Sequence, residues 1–200
     1  MRGGRPAFRQ FMGRTVSAWI DFREEHHRPD ELEVEVERIL YVSPNGPQHP
    51  DIALFKLRSH SDLPTPLELA ESDAGERDHV GVVGYPAWDG RRNPGPAMSR
   101  IFQDIYDVKR YAPGQVDEVR DGVLTHDCST LGGNSGSPLL CQQTGKVVGL
   151  HFAGRFMSEN YALPASVIKR ELRRGSMSVP DDIEPISLES LSDRRGYDEG

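Results

Sequence analysis

The sequence feature that most limits the fold of this chain is a set of short runs in which apolar and polar residues alternate. Each run is ended by a turn. In the clearest run Leu32, Val34 and Val36 alternate with glutamates, and a similar alternation covers residues 16–22. Because successive side chains of a β-strand point to opposite faces, each run predicts a strand with one face in a core and one in solvent. The polar segment between them, residues 23–30, predicts the turn of a hairpin.

Similar short apolar segments, bounded by Gly, Pro, Asn or Asp, continue along the chain. The run that begins at Leu32 continues through residues 39–42, and the further segments cover residues 51–57, 80–85, 101–111, 122–125, 138–142 and 147–153. The 20 glycines and 15 prolines of the 200-residue chain suit strands joined by turns better than a helical bundle. One helix is predicted at residues 165–174, where Val167, Ile168 and Leu172 share a face. The sequence thus predicts an all-β fold, a barrel or a sandwich, with a C-terminal helix.

Charge and composition exclude several classes of function. The formal net charge of −7 gives no basic surface of the kind that phosphate backbones attract, so we expect no nucleic-acid partner. No apolar run reaches the ~18 residues of a membrane span, and the basic start has no apolar stretch behind it, so we expect neither a membrane segment nor a signal peptide in this sequence. The compartment is left open. We find no metal-ligand pattern and no phosphate-binding loop, so we expect no metal and no cofactor. The two cysteines, Cys128 and Cys141, either pair or pack.

One run of seven residues carries a chemical signature: Gly-Gly-Asn-Ser-Gly-Ser-Pro at residues 132–138. Glycines let a backbone present a hydroxyl and aim two amide N–H groups at one point. The hydroxyl would be that of Ser135, and the two donors would be Gly133 and Ser135. Such a pair stabilises the oxyanion that develops during acyl transfer. A glycine-rich hairpin with an incidental serine is the alternative, but the length of the run favours the catalytic interpretation.

This run resembles the nucleophile motif of trypsin-like serine peptidases, especially the bacterial branch that contains the glutamyl endopeptidases. The resemblance covers about residues 15–174 and implies peptide-bond hydrolysis through an acyl-enzyme on Ser135. It also implies that Asp51, which opens the strand Asp-Ile-Ala-Leu-Phe-Lys-Leu, is the aspartate that orients the catalytic histidine. Asp51 precedes Ser135 as the aspartate precedes the serine in the chymotrypsin order, and at a similar separation. A strand-capping aspartate is the alternative for Asp51.

The resemblance further implies how the chain is divided. The fold would be an all-β, chymotrypsin-like double β-barrel with an incomplete N-terminal barrel and a C-terminal helix. A partial first barrel would span residues 15–65, an inter-barrel linker 66–79, and the second barrel with its helix 80–174. Residues 1–14 show no period and predict an irregular segment. Residues 175–200 are rich in Ser, Asp, Glu and Pro and predict a disordered acidic tail.

A second resemblance concerns substrate specificity. The segment Val-Gly-Leu-His-Phe-Ala-Gly at residues 148–154 is similar to the strand that lines the primary specificity pocket. In glutamyl endopeptidases a histidine there and a threonine five residues before the serine bind an acidic side chain, which implies these roles for His151 and Thr130. We therefore expect a preference for Glu or Asp that strengthens as the pH falls toward about 6.5, the ordinary pKa of histidine. A packing histidine is the alternative, and it stays open.

The general base is the part that the sequence does not supply. A serine hydroxyl needs an adjacent base, and the resemblance places a histidine in a Thr-x-x-His-Val segment well before Asp51. Nothing between Met1 and Arg14 is similar to that segment. The other six histidines are interpreted as exposed or packed; they are His26, His27, His49, His60, His79 and His126.

Two interpretations of the missing catalytic histidine stay open. The chain is either an N-terminally incomplete peptidase or a pseudopeptidase that binds peptides without cutting them. The first predicts a peptide or protein substrate with weak or no turnover in this form. Under either interpretation an incomplete first barrel exposes a strand edge, which a partner protein would cover.

Overall fold

The computed structural model of the protein describes residues 10–11, 14–15, 17–28, 30–44, 46, 48–88, 95–155 and 158–177. These residues form strands joined by turns, with two helices. The strands are β1 (Gln10–Phe11), β2 (Arg14–Thr15), β3 (Trp19–Asp21), β4 (Glu33–Val42), β5 (Ala53–Leu57), β6 (His79–Gly84), β7 (Arg110–Arg120), β8 (Val123–His126), β9 (Pro138–Cys141), β10 (Val147–Arg155) and β11 (Glu159–Pro164). The helices are α1 (Gly95–Phe102) and α2 (Ala165–Met177).

The chain divides into two compact units. We call one the sheet unit, which comprises Met1–Phe22, Glu31–Pro64 and Leu172–Gly200. The other is the barrel unit, which comprises Arg23–Asp30 and Thr65–Glu171. The predicted tail lies outside the described residues from position 178 onward, and so does most of the predicted irregular segment at 1–14.

The sheet unit contains the three-stranded antiparallel sheet β3-β4-β5. The predicted hairpin is confirmed, because Ile20 on β3 pairs with Val34 on β4. The alternation is confirmed as well: Val34 and Val36 are buried, whereas Glu33 is exposed. An alternating strand therefore forms here because one face can enter a small apolar core while the other meets water.

The barrel unit contains a closed antiparallel barrel in the strand order β10-β11-β8-β7-β6-β9. Its interior is filled by small and branched apolar side chains. The core residues are Ala70, Ala74, Val80, Val82, Val116, Leu124, Cys128, Leu139, Val148, Ala162 and Ala165. Both cysteines are free thiols, with Cys128 buried and Cys141 half-buried. The predicted all-β fold with a C-terminal barrel is confirmed, and this barrel is closed and has six strands.

Helix α2 begins where Asp73 caps it. The carboxylate of Asp73 accepts a hydrogen bond from the backbone N–H of Ser166 at 2.8 Å, a donor that the start of a helix leaves unpaired. The same carboxylate accepts a hydrogen bond from the Ser166 hydroxyl at 2.6 Å. Val167 and Ile168 are buried, as the pattern predicts. Leu172, which is predicted to share their face, is 40% exposed.

The prediction of a strand over residues 101–111 is wrong. The first two residues of this segment end helix α1, and strand β7 begins only at Arg110. Met98 and Phe102 lie one helical turn apart and are both buried, which favours a helix over a strand. Arg110 donates hydrogen bonds to the carbonyls of Ile101 and Phe102 at 2.8 and 2.9 Å, so it satisfies acceptors at the helix end.

A substitution at Gly114 tests how closely the barrel strands approach. A Cβ on Gly114 would lie 2.4 Å from Oδ1 of Asp127 and 2.8 Å from the backbone nitrogen of Cys128. We expect Gly114→Ala to lower the free energy of unfolding by about 1–3 kcal/mol, because the neighbouring backbone has to move. The matched control is Gly95→Ala, where nothing lies within 4 Å of the new Cβ. We expect a change within about 0.5 kcal/mol there. Equal urea midpoints for the two variants would contradict the close approach.

Candidate active site

The nucleophile loop, residues 131–137, folds into two tight turns. The N–H of Asn134 donates to the carbonyl of Leu131 at 3.2 Å, and the N–H of Ser137 donates to the carbonyl of Asn134 at 3.0 Å. Gly133 and Gly136 have φ angles of 93° and 89°, in the region that only glycine adopts without strain. The two glycines are therefore needed for the turns themselves.

Strand β10 holds this loop on one side through three hydrogen bonds. The N–H of Gly136 donates to the carbonyl of His151 at 2.7 Å, and the N–H of His151 donates to the carbonyl of Ser137 at 2.9 Å. The hydroxyl of Ser135 donates to the carbonyl of Phe152 at 3.1 Å. The loop thus continues the sheet beside β10, and the position of Ser135 follows from the register of that strand.

The end of β6 and the residues after it approach the loop from the other side. A Cβ on Gly84 would lie 2.2 Å from the hydroxyl oxygen of Ser137 and 2.3 Å from Oδ1 of Asn134. A Cβ on Gly133 would lie 2.5 Å from the carbonyl oxygen of Tyr85. The N–H of Ala87 also donates to the carbonyl of Gly132 at 2.7 Å. Gly84 therefore makes room for side chains of the loop, and Gly133 lets the loop pack directly against the backbone after β6.

Ser135 lies exposed at the tip of the loop. In the part of the chain that the structure describes, the amide N–H groups of Gly133 and Ser135 donate to no acceptor. Their role as the two oxyanion donors stays a prediction. No histidine of the described barrel unit forms a hydrogen bond with the Ser135 hydroxyl, which is instead held by the Phe152 carbonyl.

The two residues expected to bind an acidic side chain are joined by a chain of hydrogen bonds. The hydroxyl of Thr130 donates to Oδ1 of Asn160 at 2.6 Å. The amide of Asn160 donates to the carbonyls of His126 and Cys128 at 3.3 and 2.8 Å. Nε2 of His126 lies 3.2 Å from Nδ1 of His151. Thr130 and His151 therefore share a network through Asn160 and His126, which sequence reasoning did not place in the site.

One signal in the sequence could have found His126. It follows Leu124 by two residues on β8, so both side chains point to the same face, and both are 0% exposed. Asn160 gives no comparable signal, because its place opposite His126 depends on the pairing of β11 with β8. The remaining histidines that we interpreted as exposed or packed are indeed exposed; they are His26, His27, His49, His60 and His79.

Asp51 belongs to the sheet unit. It is exposed and lies just before β5, and its neighbour Ile52 is buried. Its predicted role in orienting a histidine stays a prediction.

The described residues show two further absences. No group of three or more His, Cys, Asp or Glu side chains among them is arranged to hold a metal ion. None of the helices in the same ranges combines the length and the apolar character that crossing a membrane requires.

Comparison with known proteins decides the family. Residues 11–150, well over half of the chain, match the trypsin-like peptidase domain. The chain belongs to the trypsin-like peptidase family. No match was found in a search of the curated proteins. The assignment to the glutamyl endopeptidase branch stays a prediction.

Solved structures show the same fold for this trypsin-like peptidase. One is the crystal structure of Rv3671c from Mycobacterium tuberculosis H37Rv, a serine-to-alanine mutant in an inactive form. It is 21% identical with a TM-score of 0.52, over 76% of this chain and 68% of that chain. Another is the Rv3671c protease in an inactive form, 21% identical with a TM-score of 0.51, over 72% of this chain and 68% of that chain.

The electrostatics of the peptidase site differ from the expectation of a histidine that titrates near its ordinary value. Burial lowers the pKa of His151 to about 4. Burial and the neighbouring His151 ring lower the pKa of His126 to about 4, against a smaller opposing effect of the Asp127 carboxylate. Both rings are therefore neutral at pH 7, and neither gives the site a fixed positive charge.

This buried pair predicts a loss of stability in mild acid. An unfolded histidine has a pKa of about 6.5, so between that pH and about 4 the unfolded state binds more protons than the folded state. The stabilisation is complete above about pH 6.5 and is lost as the pH falls. At about 1.4 kcal/mol per pKa unit, one such ring accounts for about 3 kcal/mol over the whole range.

Urea unfolding at pH 7 and pH 5 measures this effect. We expect the wild type and the exposed-histidine control His79→Gln to lose stability together, whereas His126→Gln loses less because one buried ring is gone. The same pH dependence in all three proteins would contradict the assignment.

Proposed function

We propose that this trypsin-like peptidase hydrolyses peptide bonds through an acyl-enzyme on Ser135. The observation that carries the proposal is the loop itself. Ser135 is exposed, and the N–H groups of Gly133 and Ser135 are unoccupied within the described residues. Donors fixed in this way before the reaction stabilise charge as it develops on the carbonyl oxygen of the substrate.

In the proposed reaction the Ser135 oxygen forms a bond to the carbonyl carbon of the substrate. The carbonyl oxygen becomes an anion between the two N–H groups, the hydroxyl proton passes to a base, and the amine leaves with a proton. Water then releases the acid from Ser135. For attack to begin, the hydroxyl has to leave the carbonyl of Phe152, which accepts a hydrogen bond but takes up no proton at ordinary pH.

In the described residues the structure does not identify the general base that this mechanism requires. His126 and His151 are buried and directed at each other, and no other histidine of the described barrel unit is bonded to Ser135. We propose that turnover by this chain is slow or absent for that reason. Asp51 would contribute only where it orients a histidine that contacts Ser135.

A fluorophosphonate probe tests the nucleophile. We expect weak labelling of the wild type, because a serine triad that lacks one member keeps only about 10³–10⁴-fold catalysis over water. Ser135→Ala should abolish labelling, whereas the exposed control Ser129→Ala should leave it unchanged. Labelling that survives Ser135→Ala would refute the assignment of the nucleophile. Turnover at the rate of an ordinary peptidase would refute the absence of a base.

The second part of the proposal is a preference for an acidic side chain on the acyl side of the scissile bond. Nε2 of His151 has no hydrogen-bond partner among the described residues. The Thr130 hydroxyl already donates to Asn160, so as oriented it offers only an acceptor, and the donor role falls on His151. A bound carboxylate raises the pKa of a nearby imidazole, so acid binding would bring a proton with it.

Two peptides that differ only by Glu or Gln at the pocket position test this preference. We expect His151→Leu to cost the Glu peptide about 1.5–3 kcal/mol, the range for a hydrogen bond to a charged group, and the Gln peptide less. Without a bound peptide, the His151 imidazole has a pKa of about 4. The preference for Glu over Gln should therefore grow as the pH falls below neutrality, until the ligand carboxyl protonates near pH ~4.3. Equal losses for both peptides would leave His151 as a packing residue.

A peptide-binding module without catalysis is the second candidate function. It is favoured by the Ser135 hydroxyl being held by a backbone carbonyl rather than by a histidine. Binding of the Glu peptide without any fluorophosphonate labelling would support this function over the peptidase.

A further inference from the structure

The strongest unexplained feature of the barrel unit is a pair of buried histidines. His126 is 0% exposed and His151 is 2% exposed. Their ring centroids lie 5.3 Å apart at 68°, so the rings meet edge to face. Nε2 of His126 and Nδ1 of His151 lie within hydrogen-bond distance at 3.2 Å. A neutral pair can place only one proton between these two nitrogens, and which ring supplies it decides what the outer nitrogens carry.

The other nitrogen of His126 decides between the two arrangements. Nδ1 of His126 is fully buried and has no hydrogen-bond partner within the described residues. If His151 supplied the shared proton, neutral His126 would carry its own proton on Nδ1, as a buried N–H without an acceptor. If His126 supplies it, Nδ1 is a bare lone pair. Orphaned buried donors are rarer in proteins than under-satisfied acceptors, so the second arrangement is favoured.

We propose that His126 is a positioning residue that fixes the tautomer of His151: Nε2–H of His126 donates to Nδ1 of His151, so that His151 presents Nε2–H to the pocket. The inference rests on the proposed function insofar as it takes His151 to line that pocket. The backbone of His126 is itself anchored, because its carbonyl accepts the amide of Asn160 at 3.3 Å and its strand pairs with β7 and β11.

This arrangement deepens the substrate class of the proposed site. A neutral N–H donor binds any side-chain oxygen at the right distance, so Glu and Gln should both be favoured over Leu, and charge adds to that preference only as protonation begins. The neutrality of both rings at pH 7 agrees with the arrangement, because each pKa is lowered to about 4. The negative charge of the Asp127 carboxylate acts in the opposite direction and raises the pKa of His126.

Nitrogen chemical shifts of isotope-labelled histidine in the full chain at pH 7 read the tautomer directly. Protonated and bare ring nitrogens give well-separated signals, and His126→Gln and His151→Leu assign them. We expect protonated Nε2 and bare Nδ1 in both rings. A proton on Nδ1 of His151, or a doubly protonated ring, would overturn the inference.

Binding of peptides with Glu, Gln or Leu at the pocket position measures the consequence. His126→Gln keeps an N–H donor toward His151 and should keep the wild-type order of affinities. His126→Leu removes the donor, and we expect the advantage of Glu and Gln over Leu to fall about fivefold, as for one lost hydrogen bond. Equal effects of the two variants would overturn the positioning role.

The two experiments separate this inference from the proposed function. If the shifts show the expected tautomer but all three peptides bind the wild type equally, the pocket is refuted and the tautomer stands. If Glu and Gln are preferred but His151 carries its proton on Nδ1, the pocket stands and the role of His126 is refuted.

Discussion

The backbone pairing between the nucleophile loop and strand β10 is the contact on which the rest of the candidate site depends. Two hydrogen bonds join His151 to the loop, and a third joins the Ser135 hydroxyl to the Phe152 carbonyl. Strand β10 is in turn held between β9 and β11 in the closed barrel. Since side chains alternate along a strand, a shift of one residue in β10 would turn His151 away from the core and move the acceptor of Ser135 at the same time. One strand register therefore sets the positions of both Ser135, the proposed nucleophile, and His151, the proposed specificity residue.

The close approach of β6 to the nucleophile loop also constrains the loop, because it requires glycines, which have no side chain, at the points of contact. Gly84 and Gly133 lie where any Cβ would meet oxygen atoms within 2.5 Å, one against the side chains of the loop and the other against the backbone after β6. Between these contacts and β10 the loop has little freedom. Rigid amide donors are useful in catalysis because no reorganisation is needed when charge develops on the substrate. The glycines therefore fix the loop through packing as well as through backbone conformation, which is what the proposed chemistry requires.

The sequence predicted well where a local pattern decides the structure, and poorly where a distant contact does. The alternation around Val34 was sufficient for β4, and the glycine-rich run was sufficient for tight turns that leave Ser135 exposed. The segment 101–111 was misassigned because its helical part is stabilised by Arg110, which satisfies the helix end from the following strand. For His126 the local pattern indicates burial beside Leu124 but not a partner. Its partner His151 is 25 residues away and comes within reach only when β11 lies between their strands.

The histidine pair is difficult to explain by stability alone. Buried polar groups cost free energy unless they are hydrogen-bonded, and the pair makes one bond to each other while Nδ1 of His126 has no partner in the described chain. Replacing both partners of a buried hydrogen bond by apolar groups of similar shape is often neutral or stabilising. In the proposed acid-binding pocket, a neutral donor would offer a different advantage. A fixed cation would be left unpaired in the empty pocket, whereas a neutral N–H leaves no buried charge and gains one only when a carboxylate raises the pKa of the ring. Burial keeps both imidazoles neutral at pH 7, and the His151 ring adds to this effect at His126, so the pair would supply such a donor in the proposed pocket.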